Sequence, residues 1–297
     1  MAEISEIIWQ LKEKNISVIN KKIIYEGINS YSFSIYDEKN NKYFLKIFKK
    51  NKINKHNRFK SELSFINYLR INNFNNIPNI ISYDKAQSWI LYKWIDGEVI
   101  KTISKFHVEK LLKFLLNINN VKFNSSNIPN ASEACFSLDQ HKNLIFGRID
   151  NIVNSINKLE LKGNITKNYI FEIIQKRCAK INNFFQSNCF ENNNIFSDEL
   201  KRYQRLISPS DVGFHNILQQ KDQLYFIDFE YSGIDDPFKL ISDLILQPDY
   251  SIPIEYLYLL KEFVYDVKTD IPFFEKKLQI FLELYSLKWF CIILNPL

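Results

Sequence analysis

The chain has 297 residues, of which 46% are hydrophobic and 15% aromatic, with six Gly, eight Pro and four Cys. This composition supplies a sizeable core and excludes collagen-like, disulfide-scaffold and low-complexity proteins. Residues 1–228 carry a net charge of +11 and residues 229–297 one of −5, which together give the formal net charge of +6. This distribution is unlike the continuous basic stripe of a duplex-binding protein.

Residues 1–97 predict a small α+β lobe. Apolar residues at helical spacing predict amphipathic helices over 4–14 and 58–69. Runs of β-forming residues predict five strands, at 23–25, 30–36, 42–48, 80–83 and 89–92. Because a polar turn separates the second strand from the third, we expect the first three strands to form an antiparallel meander.

Residues 98–297 predict a larger, mainly helical lobe that follows a hinge near residues 94–97. Amphipathic periodicity predicts helices over 105–119, about 139–160, 166–187 and 198–206, and from about 238 to the end. Two short strand-like runs interrupt the helices at 206–208 and 224–227, and we expect them to form one polar β-hairpin around the loop that they flank. The fold class is therefore α+β, with a small antiparallel-sheet lobe and a larger helical lobe.

The beginning of the chain lacks the basic start and apolar run of a signal peptide. No apolar stretch approaches the roughly 20 residues that span a bilayer. The cysteines do not have the spacing of a metal or redox site: Cys135, Cys178, Cys189 and Cys291. We expect a cytoplasmic protein with no membrane partner.

Three polar residues on either side of the last predicted strand can converge on one point. Asp211 and Asn216 lie five residues apart on one loop, and Asp228 ends the strand that follows. Phosphoryl transfer needs such a set, because one carboxylate deprotonates the attacking hydroxyl while an amide oxygen and a second carboxylate hold Mg²⁺. Alternatively, each residue taken singly is an ordinary turn former or helix cap.

A lysine and a glutamate in the small lobe complement this set. Lys46 stands alone among the apolar residues of a predicted strand, so its ammonium needs a polar or anionic partner. Glu62 follows on the next predicted helix. Kinase-like folds use such a pair to direct a cation at the α- and β-phosphates of a nucleotide. In the alternative, Lys46 extends from an edge strand into solvent and Glu62 is a solvated helix residue.

Together these residues resemble the aminoglycoside phosphotransferase and choline kinase family, which has the bilobal protein-kinase-like fold. The resemblance covers roughly residues 20–295 and is most specific over 208–243. Within that segment, residues 211–216 look like a Brenner-type catalytic loop, 228–230 resemble the metal-binding segment, and 233–237 are similar to the family's Gly-Asp-Pro stretch.

The resemblance implies a role for each of these groups. Residues 1–97 would be the nucleotide-binding lobe, and 98–297 would carry the catalytic loop and the acceptor site. Asp211 would be the catalytic base, and Asn216 and Asp228 would bind Mg²⁺. The co-substrate, ATP or GTP, would be bound by a phosphate-directing pair, a covering loop and a hinge that meets the base: Lys46 and Glu62; Gly27, Asn29 and Ser30; Tyr92 and Trp94.

The acceptor is expected to be a small molecule. A protein kinase needs an activation segment to dock a peptide, whereas here Asp235-Asp236-Pro237 already leads from Asp228 into the next helix. A sugar or amino alcohol is preferred over an aminoglycoside, because the region 101–200 is basic and not acidic. Four residues could receive a cationic acceptor through charge or a ring face: Glu230, Tyr231, Asp235 and Asp236.

Two other functions stay open at this point. The family's His two residues before the catalytic Asp is Pro209 here, and the covering loop has one glycine, which favours a catalytically silent, nucleotide-binding pseudokinase. A basic run could instead bind nucleic acid, although such a run is more often a solvated surface: Lys49, Lys50, Lys52, Lys55, Arg58 and Lys60. The sequence does not determine the oligomeric state.

Overall fold

The computed structural model describes residues 2–49, 56–120, 128–158, 164–189, 198–267, 271 and 273–294. Their helices are α1 Ala2–Glu13, α2 Arg58–Ile71, α3 Lys105–Asn120, α4 Leu138–Lys158, α5 Asn164–Cys189, α6 Pro237–Leu246, α7 Leu260–Val267 and α8 Phe274–Leu294. Their strands are β1 Val18–Glu26, β2 Ser30–Asp37, β3 Lys42–Phe48, β4 Ile80–Asp84, β5 Trp89–Lys93, β6 Glu98–Val99, β7 Leu206–Ser208, β8 Ile217–Gln220, β9 Gln223–Phe226 and β10 Gly233–Asp235.

The chain divides into two compact units. The first unit is Met1–Ile100 with Asn216–Tyr231, and the second is Lys101–His215 with Ser232–Leu297. The sequence placed a lobe boundary after residue 97 and assigned residues 216–231 to the later lobe, whereas this segment belongs to the first unit.

The first unit is built on a five-stranded antiparallel sheet in the order β1-β2-β3-β5-β4. The β2–β3 turn is closed by Asp37, whose Oδ1 accepts hydrogen bonds from the backbone N–H of Lys39 and Asn41 at 2.9 and 2.8 Å. Alternate residues of the central strands face α1, where Leu45 packs with Leu11 in a buried apolar cluster. The predicted meander is confirmed.

Helix α2 presents a buried face that carries two charged side chains. Asn57 caps the helix, because its Oδ1 accepts a hydrogen bond from the N–H of Lys60. Arg58 and Glu62 lie four residues apart, on one face, and both are buried. Two charges on a buried face require partners inside the fold, and the candidate site supplies them.

The short strands pair differently from the sequence prediction. β7 pairs with β10 in the second unit, while β8 pairs with both β6 and β9 in the first. The expected hairpin of 206–208 with 224–227 is therefore wrong. The strand that pairs with β9 is β8, and the sequence did not indicate β8 as a strand because its two glutamines interrupt the apolar pattern. The helix expected at 198–206 is a single 3₁₀ turn, Arg202–Gln204, followed directly by β7.

The core of the second unit is formed around α8, which packs on α4, α5 and α6. An aromatic stack joins α6 to α8, with Phe238 and Phe281 ring centroids 4.9 Å apart. Among the helices that the structure describes, none has the length and hydropathy needed to cross a membrane.

Candidate active site

Lys46 lies at the centre of a buried cluster of three carboxylates in the first unit. Its side chain is 5% exposed. Its Nζ donates to Asp228 Oδ1 at 2.6 Å and Glu62 Oε2 at 2.8 Å, and lies 3.0 Å from Glu230 Oε2. Two of the three N–H donors of the ammonium are used in these hydrogen bonds, and Glu230 is held by its charge as an ion pair. The sequence predicted the Lys46–Glu62 pair, and the structure brings the two side chains together.

The cluster determines which of these groups are charged. Burial disfavours the charge on Lys46, but the carboxylates of Asp228, Glu62 and Glu230 outweigh burial and raise its pKa well above the usual value. Burial raises the pKa of Glu62 to about 7, and the Lys46 ammonium opposes that rise. Tyr92 Oη donates to the other Glu62 oxygen at 2.6 Å. Lys46 is thus a permanent cation, and Glu62 titrates near neutral pH.

Asp228 is the most accessible member of the cluster, with 43% of its side chain exposed. Its φ is +61°, in the left-handed region that residues other than glycine rarely adopt. Such a conformation costs on the order of 1–3 kcal/mol and persists only where the surroundings impose it, often at functional sites. One oxygen each from Glu62, Asp228 and Glu230 lie within 4.8 Å of one another, so the acidic side of the cluster could hold a cation.

Glu230 lies in this cluster and not on an open acceptor wall. Its side chain is only 6% exposed. Besides its ion pair with Lys46, it accepts a hydrogen bond from Asn29 Nδ2 at 3.0 Å, and Arg58 Nε lies 3.7 Å from its Oε1. Tyr231, beside it, hydrogen-bonds Asn29 and places its ring near the Arg58 guanidinium, 5.5 Å from the centroid.

The predicted covering loop is a tight turn between β1 and β2. The N–H of Gly27 donates to the carbonyl of Ser30 at 3.0 Å. Lys49 Nζ donates to the carbonyl of Gly27 at 2.7 Å, and the N–H of Lys49 donates to the carbonyl of Asn29. Asn29 thereby connects this turn to Glu230, a link that the sequence did not indicate.

The predicted hinge follows β5. Tyr92 is buried in the strand and bonds Glu62, whereas Trp94 lies just beyond the strand and is partly exposed. The N–H of Trp94 donates to the carbonyl of Lys42 at 3.3 Å, and Lys42 Nζ lies 3.6 Å from the Trp94 ring centroid. Tyr92 therefore supports the lysine cluster, and Trp94 presents an aromatic surface at the end of the sheet.

The predicted catalytic loop leaves β7 in the second unit. The residue before Asp211, Ser210, has a left-handed φ of +67°. Ser208 Oγ accepts a hydrogen bond from the N–H of Ser210 at 2.8 Å, and Lys239 Nζ donates to Ser210 Oγ at 2.6 Å. The Asp211 side chain is 33% exposed. Two side chains thus hold the strained residue that precedes an accessible carboxylate.

His215 lies beside Asp211, although the histidine position before the aspartate is occupied by Pro209. His215 Nε2 is 3.5 Å from Asp211 Oδ2, and the imidazole packs on Tyr250 with centroids 4.8 Å apart. Gly213 approaches this group closely, since a Cβ there would come within 2.4 Å of Gln247 Oε1 and 2.5 Å of His215 Nδ1. Any side chain at position 213 would therefore displace the imidazole.

Asp235 and Asp236 are buried supports of the second unit. Their side chains are 0% and 1% exposed. Asp235 pairs with Lys239, the residue that holds Ser210, and Asp236 caps α6 by accepting a hydrogen bond from the N–H of Phe238 at 2.7 Å. Burial raises the pKa of Asp235, and Lys239 opposes that rise. The sequence suggested both as acceptor residues, but neither carboxylate is accessible from solvent.

Part of the basic run is engaged inside the first unit. Arg58 is buried beside Glu230, and Lys49 contacts the β1–β2 turn, with Nζ 4.0 Å from the Tyr31 ring centroid. Lys60 is exposed. The other members of the run lie outside the described residues: Lys50, Lys52 and Lys55.

The fold is that of small-molecule phosphotransferases. A spectinomycin phosphotransferase in complex with ADP and spectinomycin matches 97% of this chain and 86% of its own, with a TM-score of 0.64 and 13% identity. A type I macrolide 2′-phosphotransferase matches 99% and 92%, with a TM-score of 0.63 and 12% identity. Choline kinase from Cryptosporidium parvum Iowa II matches 98% and 89%, with a TM-score of 0.57 and 17% identity.

No protein-family model and no curated protein sequence matches the chain. The likeness is therefore one of fold, and it confirms the α+β protein-kinase-like fold that was expected from the sequence. The residues that carry the chemistry must be argued from the chain itself.

Proposed function

Because the chain has the fold of aminoglycoside and macrolide phosphotransferases and of choline kinase, we propose that it is an ATP- or GTP-dependent phosphotransferase. It moves the γ-phosphate to a hydroxyl of a small molecule. The observation that carries this proposal is the buried Lys46 ammonium on β3, fixed by Glu62 of α2 beside the accessible carboxylate of Asp228. A structural lysine does not require three carboxylates, one of them on a strained backbone.

Lys46 would bind the α- and β-phosphates of the nucleotide. Its raised pKa keeps it cationic at every physiological pH. Glu62 fixes the ammonium and is itself held by Tyr92. The turn formed by Gly27, Asn29 and Ser30 would cover the phosphates with backbone groups near Asn29 and Ser30, and Trp94 would lie against the base.

Asn216 and Asp228 suit Mg²⁺ in their chemistry. Mg²⁺ prefers oxygen ligands and binds through one or two carboxylates together with phosphates, and Asp228 offers a carboxylate that is 43% exposed. When bound, the ion would neutralise charge on the β- and γ-phosphates. Asp228 would then give up its contact with Lys46, which frees a donor of that lysine for the nucleotide.

Asp211 would act as the base. It takes the proton of the acceptor hydroxyl as that oxygen bonds to the γ-phosphorus, and the bond from phosphorus to the bridging oxygen breaks to release ADP or GDP. The loop is suited to this role because Ser208 and Lys239 hold the residue next to Asp211. His215 lies close enough to orient the carboxylate.

A small acceptor fits the chain better than a peptide. β10 begins at Gly233 and α6 at Pro237, so the residues after Asp228 enter regular structure at once and leave no activation segment. Asp235 and Asp236 are buried, and we therefore assign them to the support of the catalytic loop and α6 rather than to the acceptor. A sugar, an amino alcohol or an aminoglycoside-like molecule stays the proposed acceptor class.

The test is Mg²⁺-dependent consumption of ATP and GTP by the purified chain against amino alcohols, monosaccharides, nucleosides and aminoglycosides. Asp211→Asn and Asp228→Asn should each abolish transfer, with Asp222→Asn in the exposed β8–β9 turn as the matched control. Transfer that survives both substitutions in a folded protein would overturn the proposal. Nucleotide binding without turnover over the whole panel would favour the pseudokinase alternative.

A further inference from the structure

The strongest unexplained feature of the first unit is Arg58, the first residue of α2. Only 9% of its surface is exposed, yet its buried Nε makes no hydrogen bond within the part of the chain that the structure describes. The nearest carboxylate oxygen, Glu230 Oε1, is 3.7 Å away, too far for a good hydrogen bond. A buried donor left unpaired is costly, so its retention calls for a second arrangement in which it is satisfied.

Glu230 is held by the groups that a nucleotide phosphate would need. Its two oxygens contact Lys46 Nζ at 3.0 Å and Asn29 Nδ2 at 3.0 Å, and Arg58 approaches behind them. The lysine ammonium and an amide donor from the covering turn are suited to a phosphate oxygen. The carboxylate of Glu230 therefore lies where it competes with a phosphate for the same donors.

Three carboxylates surround the Lys46 ammonium in this arrangement, and a nucleotide phosphate would have to compete with them for it. Glu62 keeps its place, because it is buried and also bonded by Tyr92, and Asp228 is the carboxylate assigned to the metal. Glu230 is thus the second carboxylate that must leave Lys46 when a phosphate binds it. Its Oε1 already lies 3.7 Å from the unpaired Nε of Arg58, so a small side-chain rotation would complete that bond.

We propose that Glu230 is an internal anion that occupies Lys46 in the nucleotide-free chain and passes to Arg58 when nucleotide binds. Arg58 is accordingly a positioning residue, which acts on the nucleotide only through Glu230. The inference rests on the proposed nucleotide site. It adds two residues to that site: Arg58, which favours nucleotide binding, and Glu230, which opposes it.

The exchange predicts opposite effects for the two side chains. Glu230→Gln keeps the shape but removes the charge that competes for Lys46, so ADP in the presence of Mg²⁺ should bind about tenfold more tightly, which corresponds to about 1.4 kcal/mol. Arg58→Met removes the second partner of Glu230 and should weaken ADP binding about tenfold. Arg58→Lys, which keeps a cation, should restore part of the affinity.

The double variant separates this exchange from direct phosphate binding. In the Glu230→Gln background, Arg58→Met should have little effect on the dissociation constant for ADP, because there is no carboxylate at position 230 that has to move from Lys46 to Arg58. If Arg58 bound the phosphate itself, the loss would persist in that background. If both side chains were only structural, both single variants would bind ADP more weakly and unfold at lower temperature.

The experiment is calorimetric titration of each purified variant with ADP and Mg²⁺, with Lys60→Met on the exposed face of α2 and Glu38→Gln in the exposed β2–β3 turn as controls. The exchange is supported if Glu230→Gln binds ADP more tightly than the wild type and if adding Arg58→Met to Glu230→Gln does not weaken that binding. Unchanged or weaker binding by Glu230→Gln overturns it. Binding is measured without turnover, so this outcome is distinguishable from failure of the proposed transfer, which would appear as nucleotide binding with no acceptor phosphorylated.

Discussion

Glu62 should make the stability of the protein fall as the pH rises through neutrality. Its pKa is raised by burial from the usual 4.5 to about 7 in the folded chain, so between these values the folded state holds a proton that the unfolded chain has released. Stability from this group is therefore fully present below pH 4.5 and is lost as the pH rises through 7. A pKa difference of one corresponds to about 1.4 kcal/mol, so the loss amounts to about 3 kcal/mol.

Glu62→Gln tests this effect, because the amide retains the volume, its oxygen can accept the hydrogen bond of Lys46, and its NH₂ can donate to Tyr92 Oη. The free energy of unfolding would be measured by urea titration at intervals from pH 4.5 to 8.5. Relative to the wild type, the variant should gain about 3 kcal/mol over this range. The difference between the two proteins isolates Glu62, since all other titrating groups are common to both.

The matched control is Glu38→Gln, which changes the same chemistry at an exposed position and should leave the pH dependence of the wild type unchanged. Parallel pH profiles for the wild type and Glu62→Gln would refute the reasoning. Parallel profiles would mean that the Lys46 ammonium keeps Glu62 ionised throughout the range, so that the Lys46–Glu62 ion pair is present at every pH measured.

Three further predictions concern stability and are measured by urea unfolding. Phe229→Ala should cost about 3–5 kcal/mol, because Phe229 is 1% exposed and its ring centroid lies 4.9 Å from that of Phe65; Phe229→Leu should lose much less, and equal losses would contradict a cavity effect. Asp236→Ala should cost about 2 kcal/mol through loss of the α6 cap, whereas Asp236→Asn, which keeps the acceptor, should recover most of it. Lys288→Met should cost about 3–5 kcal/mol, because it removes the cation that bonds both oxygens of the buried Asp243 and leaves that charge only the Trp289 Nε1 hydrogen bond; adding Asp243→Asn should restore stability, and a double variant no better than the single one would contradict the assignment.

The first unit could be predicted well because its signals are local. Alternating apolar residues and a polar turn define β2 and β3, and one-face periodicity defines α2. The short strands could not be predicted in the same way. β7 pairs with β10 and β8 with β6, and such pairs are decided by contacts far apart in sequence that leave no periodic pattern in strands of two to four residues.

The Lys46–Glu62 pair could be predicted because a lone lysine in an apolar strand has to find an anion, and Glu62 is on the next helix. The contacts of Glu230 with Lys46 and Arg58 could not be predicted from the sequence. Its position after Asp228 suggested an exposed acceptor residue, and only the folded chain brings it to Lys46 and Arg58. One signal was available: Arg58 precedes Glu62 by four residues, which places two charges on one buried helix face.

Proline stands at position 209, where the family that the sequence resembles has a histidine, and it is compatible with an ordered loop at the proposed base Asp211. The carbonyl of Pro209 accepts a hydrogen bond from the N–H of Asp211 at 2.9 Å, and proline fixes its own φ. Lys239, buried and paired with Asp235, donates to Ser210 and so holds the strained residue next to Asp211. These contacts come from the backbone and from α6, and they position the carboxylate without a histidine at 209. The departure in sequence is therefore a weaker argument for a silent enzyme than the sequence alone suggested.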